Sequence, residues 1–297
     1  MTLLKGAKAI MDPEVYQCLH MSGHTTGPNI LFDDPDKMNL LFDRDFFIKT
    51  IKEWIQQSTL FKFKGLEQFK YAYITIGNTQ AIEEFYRLSN GRVYTFPGEY
   101  PYHTAFKENQ RIRLTDQVPM PAGPYIKHGS VLSYPFAATG NEPSNFEERM
   151  KFLDNTNVML DFAYFGVYYN PEPLDLTPYP QVHSVAFSLS KVFCTGFLRV
   201  GIVLSKTEWD TPLKMLNDWS YLPVINMRLH ELLMKRFDPD YIYEKYRKPQ
   251  LEMCKELDLT PSDTVLFGLS DDSKWDEYTR NGIINRICLG YALTEHK

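Results

Sequence analysis

Residues 182–204 read VHSVAFSLSKVFCTGFLRVGIVL. Two apolar runs, at residues 182–187 and 199–204, flank a polar segment that contains Ser188, Ser190 and Lys191. Short runs rich in β-branched and aromatic residues are typical of buried strands. The stretch therefore predicts two strands, with a serine-flanked lysine directly after the first of them and Arg199 eight residues further on.

The same pattern of short apolar runs and helical periodicity extends to both sides of this stretch. Strands that alternate with helices indicate an α/β layered domain with a largely parallel sheet. We expect residues 36–205 to form this large domain, and residues 1–35 with 206–297 to form a reduced small domain. Further strands are predicted at residues 71–76, 92–96, 112–115, 130–134 and 157–161, and helices at 36–59, 80–88 and 145–153.

Composition narrows the possible classes of protein. The chain has 297 residues, is 43% hydrophobic and carries a net charge of -5, so it can form a sizeable core and lacks the basic surface of a general nucleic-acid binder. It has no uninterrupted apolar run of about 18 residues, and its N-terminal stretch does not resemble a signal peptide. Its four cysteines form no CxxC pair, which favours free thiols and a cytoplasmic location.

Polar residues also follow two other predicted strands. Asp161 and Tyr164 stand in the stretch LDFAY at residues 160–164, and Gly77, Asn78 and Thr79 separate a strand from a helix. Backbone N–H groups at a helix N-terminus, together with a hydroxyl group, form a site for an anion. Each group also has a structural interpretation, because threonine is an ordinary N-cap residue and a tyrosine after a strand is often part of a core.

Two further candidates are an aromatic turn and an arginine near the C-terminus. The turn PGEYPYH at residues 97–103 contains Tyr100 and Tyr102, whose flat rings are suited to stacking on a flat ligand. Arg286 stands in NRICLG at residues 285–290. An arginine can bind a carboxylate through two parallel hydrogen bonds, although an arginine at the edge of a strand also has a structural interpretation.

In their order along the chain, these motifs resemble those of the fold-type I pyridoxal-phosphate enzymes, the aspartate aminotransferase-like family of class I/II aminotransferases. A looser likeness connects them to the alliinase-like branch. The resemblance covers roughly residues 70–205 and the piece around Arg286. It implies a three-layer α/β/α large domain with a mostly parallel mixed sheet, a small α+β domain, pyridoxal 5'-phosphate as cofactor, and a homodimer that acts on an amino acid and a 2-oxo acid.

The resemblance also implies catalytic roles. Lys191 is expected to hold the cofactor as a Schiff base and, once freed by the substrate, to remove the Cα proton. Asp161 is expected to pair with the protonated pyridine nitrogen, which keeps the ring an effective electron sink. The hydroxyl group of Tyr164 is expected to bond the phenolate oxygen of the ring.

The remaining expected roles concern binding. Arg286 is expected to hold the α-carboxylate of the substrate, and Tyr100, with Tyr102 as second choice, to stack on the pyridine ring. No metal is expected, although His20 and His24 have a spacing that occurs in metal sites. The other expected cofactor-binding residues are Gly77, Asn78, Thr79, Ser188, Ser190 and Arg199.

The sequence departs from the family pattern in three places. Where the family has N-P-x-G, residues 137–140 read AATG, so the usual asparagine is replaced by Ala137 and its contact is lost unless Asn141 or Asn145 substitutes for it. The stretch LFKFKG at residues 60–65 lacks the tyrosine that the family often has before a glycine. The chain is also short for the family.

Three functions remain open at this point. The first is an aminotransferase. The second keeps the cofactor but uses it for a lyase, decarboxylase or racemase reaction, because the same carbanion leads to each of them. The third is a cofactor-binding regulator without turnover, against which the retained Lys191 and Asp161 argue.

Overall fold

The computed structural model describes Leu3 and residues 6–24, 43–89, 93–103, 129–280 and 282–295, with the backbone alone for 19–24. The helices are Pro13–His24 (α1), Arg44–Gln56 (α2), Asn78–Leu88 (α3), Phe146–Phe152 (α4), Pro212–Asp218 (α5), Val224–Arg236 (α6), Tyr241–Leu257 (α7) and Gly290–Glu295 (α8), with 3-10 turns at Leu66–Gln68 and Ser273–Tyr278. The strands are Phe63–Lys64 (β1), Tyr71–Thr75 (β2), Val93–Tyr94 (β3), Gly129–Ser133 (β4), Asn157–Phe162 (β5), Leu174–Asp175 (β6), Val182–Ser188 (β7), Gly201–Ser205 (β8), Thr260–Pro261 (β9), Phe267–Ser270 (β10), Thr279–Arg280 (β11) and Ile284–Cys288 (β12).

A six-stranded sheet in the order β2-β8-β7-β5-β4-β3 forms the centre of the fold. The strands β7, β5, β4 and β3 pair in parallel. The strand β8 pairs antiparallel with both β2 and β7, so the other five strands share one direction. The predicted mostly parallel mixed sheet is confirmed.

Helices cover both faces of this sheet. Successive residues of a strand point to opposite faces, so adjacent positions enter different cores. On one face, Met159 and Ala186 pack in a hydrophobic cluster with α3 and α5. On the other face, Leu160 and Phe187 belong to a larger core that includes side chains of α2, α6 and α7. The predicted three-layer α/β/α arrangement is confirmed.

A smaller antiparallel sheet, in the order β11-β12-β10-β9, follows the large one. The helix α7 packs against β9 and β10. The N-terminal segment joins this region, since Lys8 N donates to Cys288 Sγ at 3.2 Å and Met11 N donates to Thr294 Oγ1 at 2.9 Å. The predicted small α+β unit is therefore present, whereas its boundaries at residues 1–35 and 206–297 stay a prediction.

Some predicted elements differ from the observed ones at their ends. A helix is predicted at residues 36–59, and the described part of this range contains α2. The Asp43 side chain caps α2 by accepting from Asp45 N at 2.9 Å and Phe46 N at 3.0 Å. The strand predicted from residue 199 begins only at Gly201, and Arg199 and Val200 lie in the irregular segment before it. The strand predicted at residues 112–115 lies outside the described residues.

The cysteines, histidines and apolar helices bear on other possible functions. Within the described ranges, no helix is both long and apolar enough to cross a bilayer, and no group of three potential ligands could hold a metal ion. The side chains of His20 and His24 are not among those described. The free thiols are Cys18, Cys194, Cys254 and Cys288.

Candidate active site at the carboxyl edge of the sheet

A cavity of about 800 Å³ lies at the carboxyl edge of the central sheet. Parallel strands end at the same edge, which brings together the residues that follow β2, β5 and β7. The strand β8 runs the other way, so Arg199, which precedes it, lies at this edge too. The cavity is lined by ten of the predicted residues: Asn78, Thr79, Tyr100, Asp161, Tyr164, Ser188, Ser190, Lys191, Arg199 and Arg286.

Gly77 and Arg199 form a close pair at the start of α3. Gly77 has a φ of +74°, and a Cβ atom at this position would lie 2.9 Å from Arg199 Nη2. The guanidinium group therefore lies against the turn and leaves no room for a side chain there. Arg199 Nη2 also donates to Thr79 Oγ1 at 3.0 Å. A cation, a hydroxyl group and the N-terminus of an 11-residue helix thus meet at one point, which favours an anion.

Asp161 is buried near the end of β5 and is held by Asn78. Asn78 Nδ2 donates to Asp161 Oδ1 and, at 3.1 Å, to Ala186 O. Burial raises the pKa of Asp161 to about 6, while the hydrogen bonds from Asn78 and the Ala163 backbone and the charge of Arg199 act in the opposite direction. Asp161 is therefore mostly ionised at neutral pH, and its buried charge suits a cationic partner.

Lys191 lies just beyond β7, next to two serines. Ser188 Oγ accepts a hydrogen bond from Ser190 N at 3.3 Å, and Lys191 Nζ donates to Ala7 O of the N-terminal segment. Burial lowers the pKa of Lys191 to about 8, and the nearby cations, Arg286 foremost, act in the same direction. A substantial fraction of this amine is therefore neutral near physiological pH, as a nucleophile or a general base requires.

Arg286 lies on β12 and reaches the cavity from the small sheet. Its side chain is 3% exposed. Nη1 donates to Ala137 O and lies 3.5 Å from the Tyr164 hydroxyl oxygen, and the guanidinium group stacks over the Phe267 ring at 4.3 Å. Arg286 Nε is buried and has no hydrogen-bond partner among the described residues. The arginine is thus fixed in place while part of its donor capacity stays free for a ligand.

The two tyrosines of the aromatic turn differ in position. Tyr100 lines the cavity and is 40% exposed. The Tyr102 hydroxyl group donates to Glu83 of α3, and the Tyr102 ring stacks on Tyr100 with centroids 5.8 Å apart. Tyr102 is not among the described residues that line the cavity. Of the two, Tyr100 is therefore the one placed to contact a ligand.

Ala137 occupies the position at which the family motif has an asparagine. Only its backbone and a methyl group are present there. Ala137 lines the cavity, and its carbonyl oxygen accepts the bond from Arg286. Asn141 Oδ1 accepts from Ser262 Oγ at 2.9 Å and from Asp263 N at 2.8 Å, which ties it to the loop before β10. Neither Asn141 nor Asn145 lines the cavity in the described structure, so neither substitutes for the missing amide.

Glu99 is a cavity residue that the sequence analysis did not single out. Its Oε2 accepts from Ser133 N at 3.1 Å, and its Oε1 lies 3.7 Å from Arg149 Nη1. Burial raises the pKa of Glu99 to about 7. The sequence gives one indication of Glu99, since this acid lies inside the aromatic turn. Its burial, however, depends on contacts with β4 and α4 that the sequence does not show.

Arg280 is a second such residue. It lines the cavity from β11 and pairs with Ile284 of β12. No motif marks this arginine, because its position depends on the register of the β11–β12 hairpin. Sequence reasoning could have found it only by predicting that register.

Searches against protein-family models and against curated proteins find no match. Among solved structures, a mutant aspartate aminotransferase of Thermus thermophilus is 14% identical, with 97% of this chain and 86% of that chain covered and a TM-score of 0.61. A probable N-succinyldiaminopimelate aminotransferase of the same organism is 15% identical, with 98% and 90% covered and a TM-score of 0.60.

A C-S lyase of Staphylococcus hominis is similar to the same extent, at 10% identity, with 97% of this chain and 84% of that chain covered and a TM-score of 0.60. The chain thus has the fold of the fold-type I pyridoxal-phosphate enzymes, a class that includes both aminotransferases and this lyase. The resemblance predicted from the motifs is confirmed at the level of the fold.

Proposed function

We propose that the chain is a pyridoxal-phosphate-dependent aminotransferase that acts on an amino acid and a 2-oxo acid, with Lys191 holding the cofactor. One observation carries this proposal. In a fold shared with aminotransferases, a single cavity joins a half-buried lysine whose pKa is lowered, a buried aspartate and an anion-binding turn. These residues are scattered over more than 100 positions of sequence, and their meeting in one cavity supports the proposal.

The cavity residues fit pyridoxal phosphate. Asn78 Oδ1 and Ser190 Oγ are buried and lack a hydrogen-bond partner among the described residues, so a polar ligand would satisfy atoms that the protein leaves unpaired. Lys191 would hold the aldehyde carbon through its amine, and Tyr100 would contact the ring. Gly77, Thr79, Ser188, Ser190 and Arg199 would hold the phosphate group.

When bound, pyridoxal phosphate supplies an electron sink for negative charge at the substrate Cα. Asp161 would keep a proton on the ring nitrogen, because an ionised carboxylate beside that atom favours its protonated form. Asn78 positions Asp161 for this role through the bond to Oδ1. Burial raises the pKa of the Tyr164 phenol, so this group stays protonated at neutral pH and can donate a hydrogen bond to the ring oxygen.

Lys191 would also move the proton at the substrate Cα. A general base works best when its pKa lies near the working pH, and Lys191 has a pKa of about 8. Arg286 would hold the substrate α-carboxylate, which fixes the Cα near this amine. Its bonds to Ala137 O and Tyr164 keep the guanidinium group oriented before the substrate arrives.

A lyase reaction on an amino acid-like substrate is the second candidate, with decarboxylation and racemisation as further variants. The observation that favours it is Ala137. The methyl group at this position cannot supply the amide bond that the aminotransferase motif provides, and neither Asn141 nor Asn145 replaces it at the cavity. The electron-sink strength of the cofactor would then differ from that of an ordinary aminotransferase.

The first experiment is reconstitution of the purified chain with pyridoxal phosphate, followed by its absorption spectrum. We expect a visible band that Lys191→Ala abolishes and that Lys151→Ala preserves, because Lys151 is exposed on α4, away from the cavity. A wild-type chain without such a band would refute the proposed cofactor.

The second experiment separates the reactions. Transfer of the amino group to an added 2-oxo acid supports the aminotransferase. Release of pyruvate and ammonia without an acceptor supports the lyase. A visible band with turnover of neither kind would support the regulator without activity.

We further propose a homodimer, on the family resemblance, and a cytoplasmic location, on the absence of a CxxC pair among the four cysteines. We also propose a large domain at residues 36–205 with a small one formed by the remaining parts. Light scattering on the purified chain tests the dimer. Limited proteolysis tests the domain boundaries, and fractionation of cells that express the chain tests the location.

A further inference from the structure

The cavity carries more positive than negative charge. Its lining includes five cationic side chains and two carboxylates, namely Lys8, Lys191, Arg199, Arg280 and Arg286 against Glu99 and Asp161. Lys8 is exposed to water. The proposed function gives roles to Lys191, Arg199 and Arg286, which leaves Arg280 as the more enclosed cation without a role.

Both cavity carboxylates are engaged with groups other than Arg280. Asp161 accepts from Asn78. Glu99 lies 3.7 Å from Arg149, which approaches it from α4. No ion pair joins Arg280 to an acidic side chain anywhere in the described ranges. No acidic side chain of the described residues therefore neutralises its charge.

The β11–β12 hairpin places Arg280 and Arg286 on one face. Arg280 pairs with Ile284 in the antiparallel register, and residues two apart on a strand point to the same side. Arg286 is therefore the diagonal neighbour of Arg280, a relation in which long side chains come within reach of the same ligand. Both guanidinium groups line the cavity.

The surroundings of Arg280 supply hydroxyl groups and a second cation. Burial lowers the pKa of Arg280 and the charge of Arg286 acts in the same direction, while Tyr164, Cys288 and Tyr100 oppose the change. Arg280 Nε is buried and lacks a hydrogen-bond partner among the described residues. Two neighbouring guanidinium groups repel each other in a site of low dielectric, and an anion between or beside them removes this cost.

We propose that Arg280 is a specificity-determining residue that binds a second anionic group, a carboxylate or a phosphate, at the end of the substrate side chain. This inference rests on the proposed function, in which Arg286 holds the α-carboxylate. One α-carboxylate occupies one guanidinium fork, so Arg280 serves the second group. The substrate is accordingly an acidic amino acid rather than a neutral one.

The first test is titration of the reconstituted enzyme with matched pairs of amino acids. The change in the visible absorption band measures the binding of each amino acid. Glutamate is compared with glutamine, aspartate with asparagine, and phosphoserine with serine. We expect the anionic member to bind about 10- to 100-fold more tightly, as charge-assisted hydrogen bonds predict. A preference for the carboxylate pairs alone or for the phosphate pair alone identifies the second group.

Variants assign the preference to Arg280. Arg280→Gln should remove the preference for the anionic member while leaving the affinity for the neutral member unchanged, and Arg280→Lys should restore part of it. Arg236→Gln is the matched control, because Arg236 is exposed at the end of α6, away from the cavity. Equal affinity for both members in the wild type, or a preference that survives Arg280→Gln, overturns the inference.

Calorimetry with succinate and butyrate tests the same site without any reaction. Succinate should bind more tightly than butyrate to the wild type, and Arg280→Gln should make the two equal. This measurement also decides the inference if reconstitution yields no visible band, in which case the proposed function fails separately. Equal binding of succinate and butyrate by the wild type contradicts the role of Arg280.

Discussion

The side of the cavity formed by the central sheet differs from the side formed by the small sheet in how its charged groups are partnered. On the first, here called the sheet side, Asp161, Lys191 and Arg199 each have a hydrogen-bond partner within the protein. On the second, the hairpin side, Arg286 donates to Ala137 O through Nη1, but Arg280 and Arg286 both carry a buried Nε without a partner among the described residues. This difference supports the proposed assignment, in which the resident cofactor is held on the sheet side and the exchanged substrate on the hairpin side.

The largest expected effect on the sheet side comes from Asp161→Asn. An amide cannot stabilise a proton on the ring nitrogen as a carboxylate does, so kcat/KM should fall about 10²- to 10³-fold, the usual cost of losing one preorganised electrostatic group. The visible band should remain, because Lys191 is unchanged. Steady-state kinetics checks this, with Glu147→Gln on the exposed face of α4 as control. Unchanged kinetics in Asp161→Asn would remove the aspartate from the mechanism.

On the hairpin side, Arg286→Gln should weaken the binding of the substrate and leave the binding of the cofactor unchanged. We expect kcat/KM to fall about 10- to 100-fold through loss of a charge-assisted bond to the α-carboxylate. The dissociation constant of pyridoxal phosphate should stay at its wild-type value, as measured by absorbance titration. Loss of cofactor affinity in this variant would contradict the separation of the two sides.

Gly77→Ala should act on the phosphate end of the sheet side. Gly77 has a φ of +74° and its Cβ atom would meet Arg199 Nη2 at 2.9 Å, whereas Gly282 has a φ of +68° and open space around it. Strain alone costs on the order of 1–3 kcal/mol of unfolding free energy, so both alanine variants should be less stable. Gly77→Ala should in addition bind pyridoxal phosphate more weakly.

Chemical denaturation and absorbance titration of both glycine variants test this difference. We expect weaker cofactor binding in Gly77→Ala and unchanged cofactor binding in Gly282→Ala. Equal cofactor affinity in the two variants would show that the contact between Arg199 and the turn is unimportant for the phosphate.

The smallest expected effect concerns pH. The neutral amine of Lys191 is the form that attacks an aldehyde, and its pKa is about 8. The rate of cofactor capture should therefore rise about five-fold from pH 7 to pH 8 and level off above pH 9, because deprotonation makes more of the reactive form. Stopped-flow absorbance measures this rate. A rate that keeps rising toward pH 10.5 would indicate an unperturbed lysine.

The sequence was informative where function depends on short local patterns. A recognisable motif at or next to the end of a strand contains each of four residues: Asp161, Tyr164, Lys191 and Arg199. Parallel strands must end at one edge. This made the fold and the lining of the cavity predictable, although the roles of these residues stay predictions until they are tested.

What the sequence did not show depends on contacts between distant positions. The bond from Asn78 to Asp161 joins residues 83 positions apart, and the burial of Glu99 depends on β4 and α4. The position of Arg280 follows from a pairing of two-residue strand β11 with β12, which has no apolar pattern long enough to predict. These are tertiary effects that periodicity and motif spacing do not encode.

The central claim is that Lys191 holds the cofactor, and Lys8 is the natural competitor because it lines the same cavity. Borohydride reduction of the reconstituted chain, followed by digestion and mass spectrometry, locates the attached group directly. We expect one phosphopyridoxyl adduct, on the peptide that contains Lys191. An adduct on Lys8 instead, or no adduct on any lysine, would contradict the central claim.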